Sequence, residues 1–416
     1  MAAINDAALP SPVPASSSWL DNKWMTRTLV LARKGEAQTH PNPMVGAIVV
    51  AGDRAVGQGC HIYDRMKHAE VLALEEAGER ARGATLYTNL EPCSITGRTG
   101  PCAQAIIAAG IKRVVAAMKD PNPRVSGRGF RMLRKAGIEV VTGVLEAEAR
   151  RLNEAFACWI RTGRPMVTLK VAMTLDGRVA PAGASEQHRV ASARGRRATA
   201  HDRWITSEVA RDEVQRMRHA ADAIVTGIGT VLADDPLLTD RTGKPRRKPL
   251  VRVVLDSRLR LPIRSKLARS ADGDVLAVTR MSENSARAWR LEYAGVETLR
   301  LPGRGGELPL KEVIQALGEL EMVSVLIEAG PRLVSSALRS GVVDKVVLFY
   351  APRFLGGDAL PVIPPSASSS SRGGAKRPKG RAGARARFPT LNEVTLSRFG
   401  PDFAVEGYLR DVYRDH

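Results

Sequence analysis

Cysteine is the first scarcity. Four thiols (Cys60, Cys93, Cys102, Cys158) in 416 residues cannot build a disulfide scaffold, and their rarity suits a reducing, cytoplasmic setting. Aromatic residues make up only 4% of the chain, which leaves little material for the stacking platforms that grip single-stranded nucleic acid. No apolar run approaches the roughly 18 residues of a membrane span. Residues 1–18 are rich in Ala, Pro and Ser, contain Asp6, and lack both Lys/Arg and an apolar centre. They read as a disordered leader and not as a signal peptide. Self-similarity between the halves is absent as well, so a chain of this length is expected to hold two unlike domains.

Positive charge, by contrast, is in excess, at a formal net of +20. The excess is confined to three segments. Residues 241–270 carry eleven Lys/Arg against Asp256 alone, residues 366–388 carry seven with no acid, and residues 185–203 carry five against two. The low-complexity stretches at about 182–203 and 362–388 read as solvated insertions. None of the three interleaves aromatics with its charge. A solubilising role is favoured, and no nucleic-acid or membrane partner is expected.

The chemistry concentrates on His68-Ala69-Glu70, Pro92-Cys93 and Pro101-Cys102. One imidazole and two thiols suit tetrahedral Zn²⁺ with a fourth position left for water. Glu70, two residues past the histidine, is placed to move that water's proton. The order is similar to the H-x-E … P-C-x-x-C pattern of nucleobase deaminases, but here the cysteines stand nine positions apart instead of three. The plain alternative is two buried cysteines and a helix-capping histidine.

Hydrophobic periodicity predicts a helix over Asn22–Lys34, a strand over Met44–Val50, a helix over His68–Ala81, a strand over Ala84–Leu90 and a helix opening at Cys102. His68 and Cys102 then both sit at helix N-termini, where the positive end of the dipole favours a thiolate. Cys60 and Cys158 read as small hydrophobes. Asn42, held between two prolines, is either an Asx-turn residue or an amide that reads a flat heterocycle. Strands at Arg113–Met118 and Ile138–Thr142 around a helix at Gly127–Gly137 argue α/β layers, and Leu145–Ile160 reads as one long amphipathic bridge.

Beyond Gly163 the pattern restarts. Strands are expected at Met166–Met173, Ala223–Gly227, Leu250–Asp256, Val275–Thr279, Val323–Glu328, Val342–Tyr350 and Phe403–Leu409, with a helix ending near His219. The turns at Gly227–Val231 and Glu328–Leu333 bear glycines that let backbone amides approach a phosphate, although each signal alone is weak.

Ten ordered stretches carry more than any of these signals singly. They are PNPMVGAIVV (41–50), HAEVLALEEAG (68–78), LEPC (90–93) with GRTGPC (97–102), AAMKDPNPRVSGRG (116–129), TLKVAMTLDGRVA (168–180), WITS (204–207), GIGTVLADDPLLTDR (227–241), VVLDS (253–257), IEAGPRL (327–333) and APRFLGG (351–357). Together they closely resemble the bifunctional riboflavin-biosynthesis deaminase/reductase family, over nearly the whole chain outside the leader and insertions. That family also uses the wide cysteine spacing.

The resemblance implies an α/β protein with a cytidine-deaminase-like α/β/α domain over 19–163 and a dihydrofolate-reductase-like α/β domain over 164–416. In the first, His68, Cys93 and Cys102 would bind one Zn²⁺ and Glu70 would shuttle the proton. Asn42 and His61 would hold the pyrimidine of 2,5-diamino-6-ribosylamino-4-pyrimidinone 5′-phosphate while it loses an exocyclic amine. In the second, NADPH would reduce the ribosyl group to a ribityl chain. Ala172, Trp204, Thr230, Asp234, Ser257 and the run Gly330, Pro331, Arg332, Leu333, Val334, Ser335, Ser336 match the family's cofactor positions. Arg218, Leu238, Arg241 and Glu328 match its substrate positions, and Lys170 either assists ring opening or polarises the sugar carbonyl, or is structural. A homo-oligomer is expected.

Three departures from the family pattern stand out. Ser94-Ile95-Thr96-Gly97 replaces Ser-His-(His/Tyr)-Gly. Arg65 stands where a glycine is expected. Asp202-Arg203-Trp204 replaces Ser-x-Trp, so that Asp202, or a displaced Ser185, would contact the reductase substrate. The rival readings are a nucleoside or RNA deaminase with the same zinc site, and a reductase carrying a degenerate zinc-binding module.

Overall fold

The computed structural model describes residues 19–96, 100–180, 204–303, 306–364 and 389–414. The leader at 1–18, the insertion at 182–203 with Ser185 and Asp202, and residues 365–388 of the second insertion lie outside the described residues. The chain divides into two compact units, 1–154 and 155–416. Among the described residues, no helix is long and apolar enough to cross a membrane.

The first unit runs α1 (Trp19–Ala32), β1 (Gly46–Ala51), β2 (Arg54–Cys60), α2 (Ala69–Ala77), β3 (Thr85–Leu90), α3 (Cys102–Ala108), β4 (Arg113–Met118), α4 (Arg128–Lys135), β5 (Glu139–Thr142) and α5 (Glu146–Leu152). Its sheet has the order β2-β1-β3-β4-β5, antiparallel over the first two pairings and parallel over the last two.

Strand β2 carries no apolar alternation and was not expected. Its glycines are there for α2, which lies directly on them. A Cβ at Gly57 would fall 2.1 Å from the carbonyl oxygen of Ala73, and one at Gly59 would fall 2.1 Å from that of Ala69. Ala69, Ala73 and Ala77, one turn apart, form the matching small face of the helix, each at most 2% exposed. This backbone-on-backbone contact sets where the head of α2, and so His68 and Glu70, can sit.

Two expected helices are cut shorter. α2 ends at Ala77, and Gly78–Ala81 tightens into a 3₁₀ turn. The bridge expected as one helix is two, α5 and α6 (Glu154–Thr162), broken at Asn153. The Asn153 amide leaves the helix pattern to bond both backbone groups of Met44, at 2.8 and 3.0 Å, and so fastens the loop that leads into β1.

The second unit opens with α6 and continues β6 (Met166–Thr174), β7 (Arg178–Ala180), α7 (Glu208–Ala220), β8 (Ala223–Gly227), α8 (Ile228–Asp234), β9 (Val251–Leu255), α9 (Lys266–Arg269), β10 (Val275–Thr279), α10 (Ala286–Tyr293), β11 (Val296–Arg300), α11 (Leu310–Glu319), β12 (Ser324–Glu328), α12 (Pro331–Ser340), β13 (Lys345–Ala351), β14 (Leu360–Pro361), β15 (Asn392–Phe399) and β16 (Asp402–Tyr408). Among the described residues, nine strands form one sheet in the order β11-β10-β9-β8-β12-β6-β13-β16-β15. It is parallel as far as β13 and antiparallel beyond. The central strands read as continuous apolar runs because both faces are covered: Val167, Leu169, Ile224, Val225, Val325 and Ile327 are at most 2% exposed. The shared strand direction brings the carboxyl ends of β6, β8, β9 and β12 to one edge, where open α/β sheets bind ligands.

The basic segment 241–270 is only partly a solvated face. Arg246 donates to the carbonyls of His219 and Ala221 at 2.6 and 2.7 Å, closing the end of α7. Arg252 is 1% exposed, and its two terminal nitrogens donate to Leu237 O, Ser270 and Asp274. These two cations are internal ties.

Candidate active sites

In the first unit, three loops deliver three donors to one point. His68 is the N-cap residue of α2, in extended backbone, Cys102 opens α3, and Cys93 lies in the turn after β3. His68 Nδ1 lies 3.1 Å from Cys102 Sγ and 3.5 Å from Cys93 Sγ. All three donor atoms fall within 4.8 Å of one another. Tetrahedral zinc, with Zn–S about 2.3 Å and Zn–N about 2.0 Å, requires donors roughly 3.5–3.8 Å apart. The set fits a metal ion of that size with small adjustments.

Backbone bonds hold the cysteines in place. Cys102 N–H donates to Cys93 Sγ at 3.2 Å and Ala103 N–H to the Cys93 carbonyl at 3.1 Å. The thiol pair shares its protons unevenly. The hydrogen bond from Cys102 pushes the Cys93 thiol down to about 4, with His68 adding to the effect. The same bond, together with burial, drives the Cys102 thiol upward. A site primed with one thiolate before a cation arrives is suited to metal capture.

Glu70 stands in the first turn of α2 and is 4% exposed. Burial, and then the charge on Cys93, push its carboxyl up to about 7. That is the range in which a carboxyl can both take up and release a proton near neutrality. Glu91 was read only as part of the LEPC stretch, yet it braces the site. Its buried carboxylate accepts from the backbone N–H of Gly127 at 2.8 Å, of Asp120 at 3.1 Å and of Phe130 at 3.3 Å, capping α4 and tying that helix to the turn that carries Cys93. No spacing signal distinguishes it from an ordinary strand-end acid.

Asn42 and His61 meet, with Asn42 Nδ2 3.1 Å from His61 Nε2. His61 is 3% exposed, and its other ring nitrogen faces the Lys67 carbonyl at 3.1 Å. Of the departures, Ile95 is an exposed apolar side chain, 48% accessible. Arg65 needs no glycine geometry, because the left-handed residue in this loop is Met66, at φ 66°.

In the second unit, Lys170 on β6 and Glu328 at the end of β12 are register partners across the parallel sheet. Lys170 Nζ lies 3.7 Å from Glu328, and Arg218 grips the same carboxylate with two parallel bonds of 2.7 and 3.0 Å. Burial would raise the Glu328 carboxyl, but the two cations outweigh it and hold it below the usual range. Burial lowers Lys170, with Glu328 opposing. The remaining arm of Arg218 donates to the Thr239 carbonyl at 3.1 Å. The guanidinium of Arg241 has no hydrogen-bond or ion-pair partner among the described residues, and its backbone N–H is held by Gln215 at 3.0 Å. The Leu238 side chain is packed in the core with Ile224 and Val231, so any ligand contact there would come from its backbone.

The cofactor candidates at the turns after β8, β9 and β12 lie at the carboxyl edge. Gly227 and Gly330 are the N-cap residues of α8 and α12, and Gly330 N–H donates to Thr230 Oγ1 at 3.3 Å, joining the two turns. The stretch expected as a turn at Gly227–Val231 is thus mostly helix. A Cβ on Gly229 would meet nothing within 4 Å, and the Ser335 hydroxyl is buried without a partner. A turn left open at Gly229 and an orphaned donor on α12 each suit a phosphate-bearing cofactor. Ser257 follows β9 at the same edge, Asp234 ends α8, and Ala172 packs beside Phe349 in mid-sheet. Trp204 is 49% exposed, lies 5.2 Å beneath the Arg211 guanidinium, and is held through its carbonyl by Arg353 at 2.9 Å.

The two units define a zinc-type hydrolytic deaminase joined to a reductase domain. Residues 18–118 match the family model for the cytidine and deoxycytidylate deaminase zinc-binding region, and residues 165–404 match the RibD C-terminal domain. The chain belongs to the RibD family, the bifunctional deaminase/reductases of riboflavin biosynthesis. It is 42% identical to riboflavin biosynthesis protein RibD of Aquifex aeolicus, over 81% of this chain and 88% of that one. It is 41% identical to the Synechocystis RibD, over 94% and 96%. The Acinetobacter baumannii RibD structure aligns with a TM-score of 0.75 at 34% identity, covering 94% of this chain and 98% of that one. The Thermotoga maritima structure, described as a diaminohydroxyphosphoribosylaminopyrimidine deaminase/5-amino-6-(5-phosphoribosylamino)uracil reductase, aligns at 0.71 and 33%, with the same coverage. A deaminase acting alone on RNA would leave the reductase half without a role.

Proposed function

We propose that this chain catalyses both reactions in the Thermotoga relative's description. Residues 19–163 would deaminate the phosphoribosylaminopyrimidine, and residues 164–416 would reduce the sugar of 5-amino-6-(5-phosphoribosylamino)uracil with NADPH. His68, Cys93 and Cys102 would hold one zinc ion, which would supply Lewis-acid activation of water near neutral pH. Glu70 accepts that water's proton and returns it to the departing ammonia. Asn42 reads the pyrimidine edge, and His61 acts by fixing the Asn42 amide.

In the second half, Thr230, Asp234, Ser257, Ala172, Trp204 and the Gly330–Ser336 turn would cradle NADPH, which would supply the hydride. Arg241 and the unspent N–H groups of Arg218 hold the substrate phosphate. Lys170, kept beside Glu328, faces the sugar. The family pattern assigns the remaining substrate contact to Asp202 or Ser185, both outside the described residues. A small-molecule substrate, a homo-oligomeric state and a cytoplasmic location, the last supported by the scarcity of cysteine, belong to the same reading.

The observation that carries the proposal is the His68–Cys93–Cys102 donor set with Glu70 buried beside it. The test is ammonia release from the diaminopyrimidine, compared between the wild type and Glu70→Gln. A loss of about 10²–10⁴-fold with metal content unchanged is expected for a lost proton carrier. Equal rates would remove Glu70 from the chemistry.

A further inference from the structure

Between α7 and the loop that follows α8 lies a buried histidine–carboxylate pair that none of the proposed roles uses. His219, in the last turn of α7, and Asp240, in that loop, approach to 2.8 Å from Nδ1 to Oδ2, with side chains 2% and 8% exposed. The position of the pair in the chain is what makes it informative. His219 directly follows Arg218, and Asp240 directly precedes Arg241.

Asp240 is itself held tightly. Its Oδ1 accepts from the Thr242 N–H at 2.9 Å, closing an Asx turn. Arg246 reaches its Oδ2 at 3.5 Å while donating to the carbonyls of Arg218 and His219 at 3.2 and 2.6 Å. Gln215, one turn back on α7, receives the Arg241 N–H. Loop and helix are therefore stitched together on both sides of the two arginines, with the His219–Asp240 contact between them.

The geometry points to His219 and Asp240 as a positioning pair that sets the Arg241 guanidinium at a fixed distance from Arg218, and so determines recognition of the substrate's phosphate. The inference rests on the proposed phosphate role of Arg218 and Arg241. Neither member of the pair needs to touch substrate. A buried, charge-assisted bond locks two backbones whose adjacent residues carry the contacts. Without it, Arg241 retains its charge but loses its register against the helix.

The test is steady-state NADPH oxidation by the full chain with 5-amino-6-(5-phosphoribosylamino)uracil and with its phosphate-free counterpart. For His219→Ala, KM for the phosphorylated substrate is expected to rise about tenfold with kcat changed by less than about twofold, the mark of lost ground-state binding. KM for the phosphate-free compound stays put, and His219→Gln, which can still donate to Asp240, recovers most of the loss. An equal change in KM for both compounds, or none for either, overturns the pairing role and leaves a purely structural contact. Asp240→Asn, which keeps the Asx turn but removes the charge, gives the same readout should His219→Ala fold poorly. Arg241→Ala separates the two ideas. If it raises KM for the phosphorylated compound while His219→Ala does not, the positioning role fails. If Arg241→Ala itself leaves KM unchanged, the phosphate reading fails first.

Discussion

Asn42 and His61 form one hydrogen-bonded unit in which, with the ring neutral, a single carbonyl sets the donors and acceptors. A carbonyl can only accept, so His61 Nδ1, facing Lys67 O, carries the proton. Nε2 is then the acceptor, and it takes a hydrogen from the Asn42 NH₂ group at 3.1 Å. The Asn42 carbonyl oxygen is left as an acceptor for a substrate N–H. Replacing His61 by Leu frees that amide to rotate. KM for deamination should rise about tenfold, equivalent to about 1.4 kcal/mol, with metal content unaltered. An unchanged KM would show that the ring does not orient the amide.

The metal-free protein should betray Glu70 through its pH dependence. Its folded carboxyl stands at about 7, against an ordinary value of 4.5. Between those values the folded state binds the proton that the unfolded state has released, so this group makes stability fall as pH rises from about 4.5 to about 7. Cys93, pushed down to about 4, contributes in the opposite direction over the same interval. The informative quantity is therefore the difference between Glu70→Gln and wild type in chelator-treated protein. Urea titrations should find the variant gaining on the wild type from pH 5 to pH 7.5. A flat difference would mean that the glutamate is not desolvated as the fold implies.

Gly59→Ala should damage the deaminase half from a distance. The added methyl would sit 2.1 Å from the Ala69 carbonyl, and backbone cannot step aside as a flexible side chain can. Overpacking of this kind costs about 1–3 kcal/mol or more. It should also displace the head of α2, lowering zinc retention under chelator challenge while NADPH oxidation persists. Retained zinc affinity would show that α2 is not positioned by β2.

Lys170→Met tests which of its two readings is right. A lysine that polarises the sugar carbonyl should take at least about tenfold of kcat for NADPH oxidation with it, leaving ammonia release intact. Loss of thermal stability with kcat preserved would assign it to the Glu328 ion pair alone.

Much of this was legible from residues whose signals are local. The ligands His68, Cys93 and Cys102 announced themselves by type and order, and β6, β8, β9, β10 and β12 by apolar runs that only a sheet covered on both faces requires. What escaped was tertiary. β2 has glycines where a strand reading wants alternating side chains, because α2 needs the space. The break at Asn153 depends on Met44, more than a hundred positions earlier. Glu91 looks like any strand-end acid until α4 arrives to be capped by it. Arg246 and Arg252 were counted as surface charge because nothing near them in the sequence reveals the carbonyls and carboxylate that enclose them.

The place of β6 in its sheet bears on how the chain is made. Both of its neighbours, β12 and β13, are encoded far downstream, at residues 324–328 and 345–351. At ribosomal speeds of about 5–20 residues per second, the intervening stretch of roughly 150 residues takes on the order of 10–30 s to emerge. Throughout that time an apolar strand built for the middle of a sheet lacks both of its native neighbours. The nascent reductase half is therefore a natural client for chaperones, and a C-terminal truncation before residue 324 would release a chain whose central strand has lost both native neighbours and is open to pairing with other molecules.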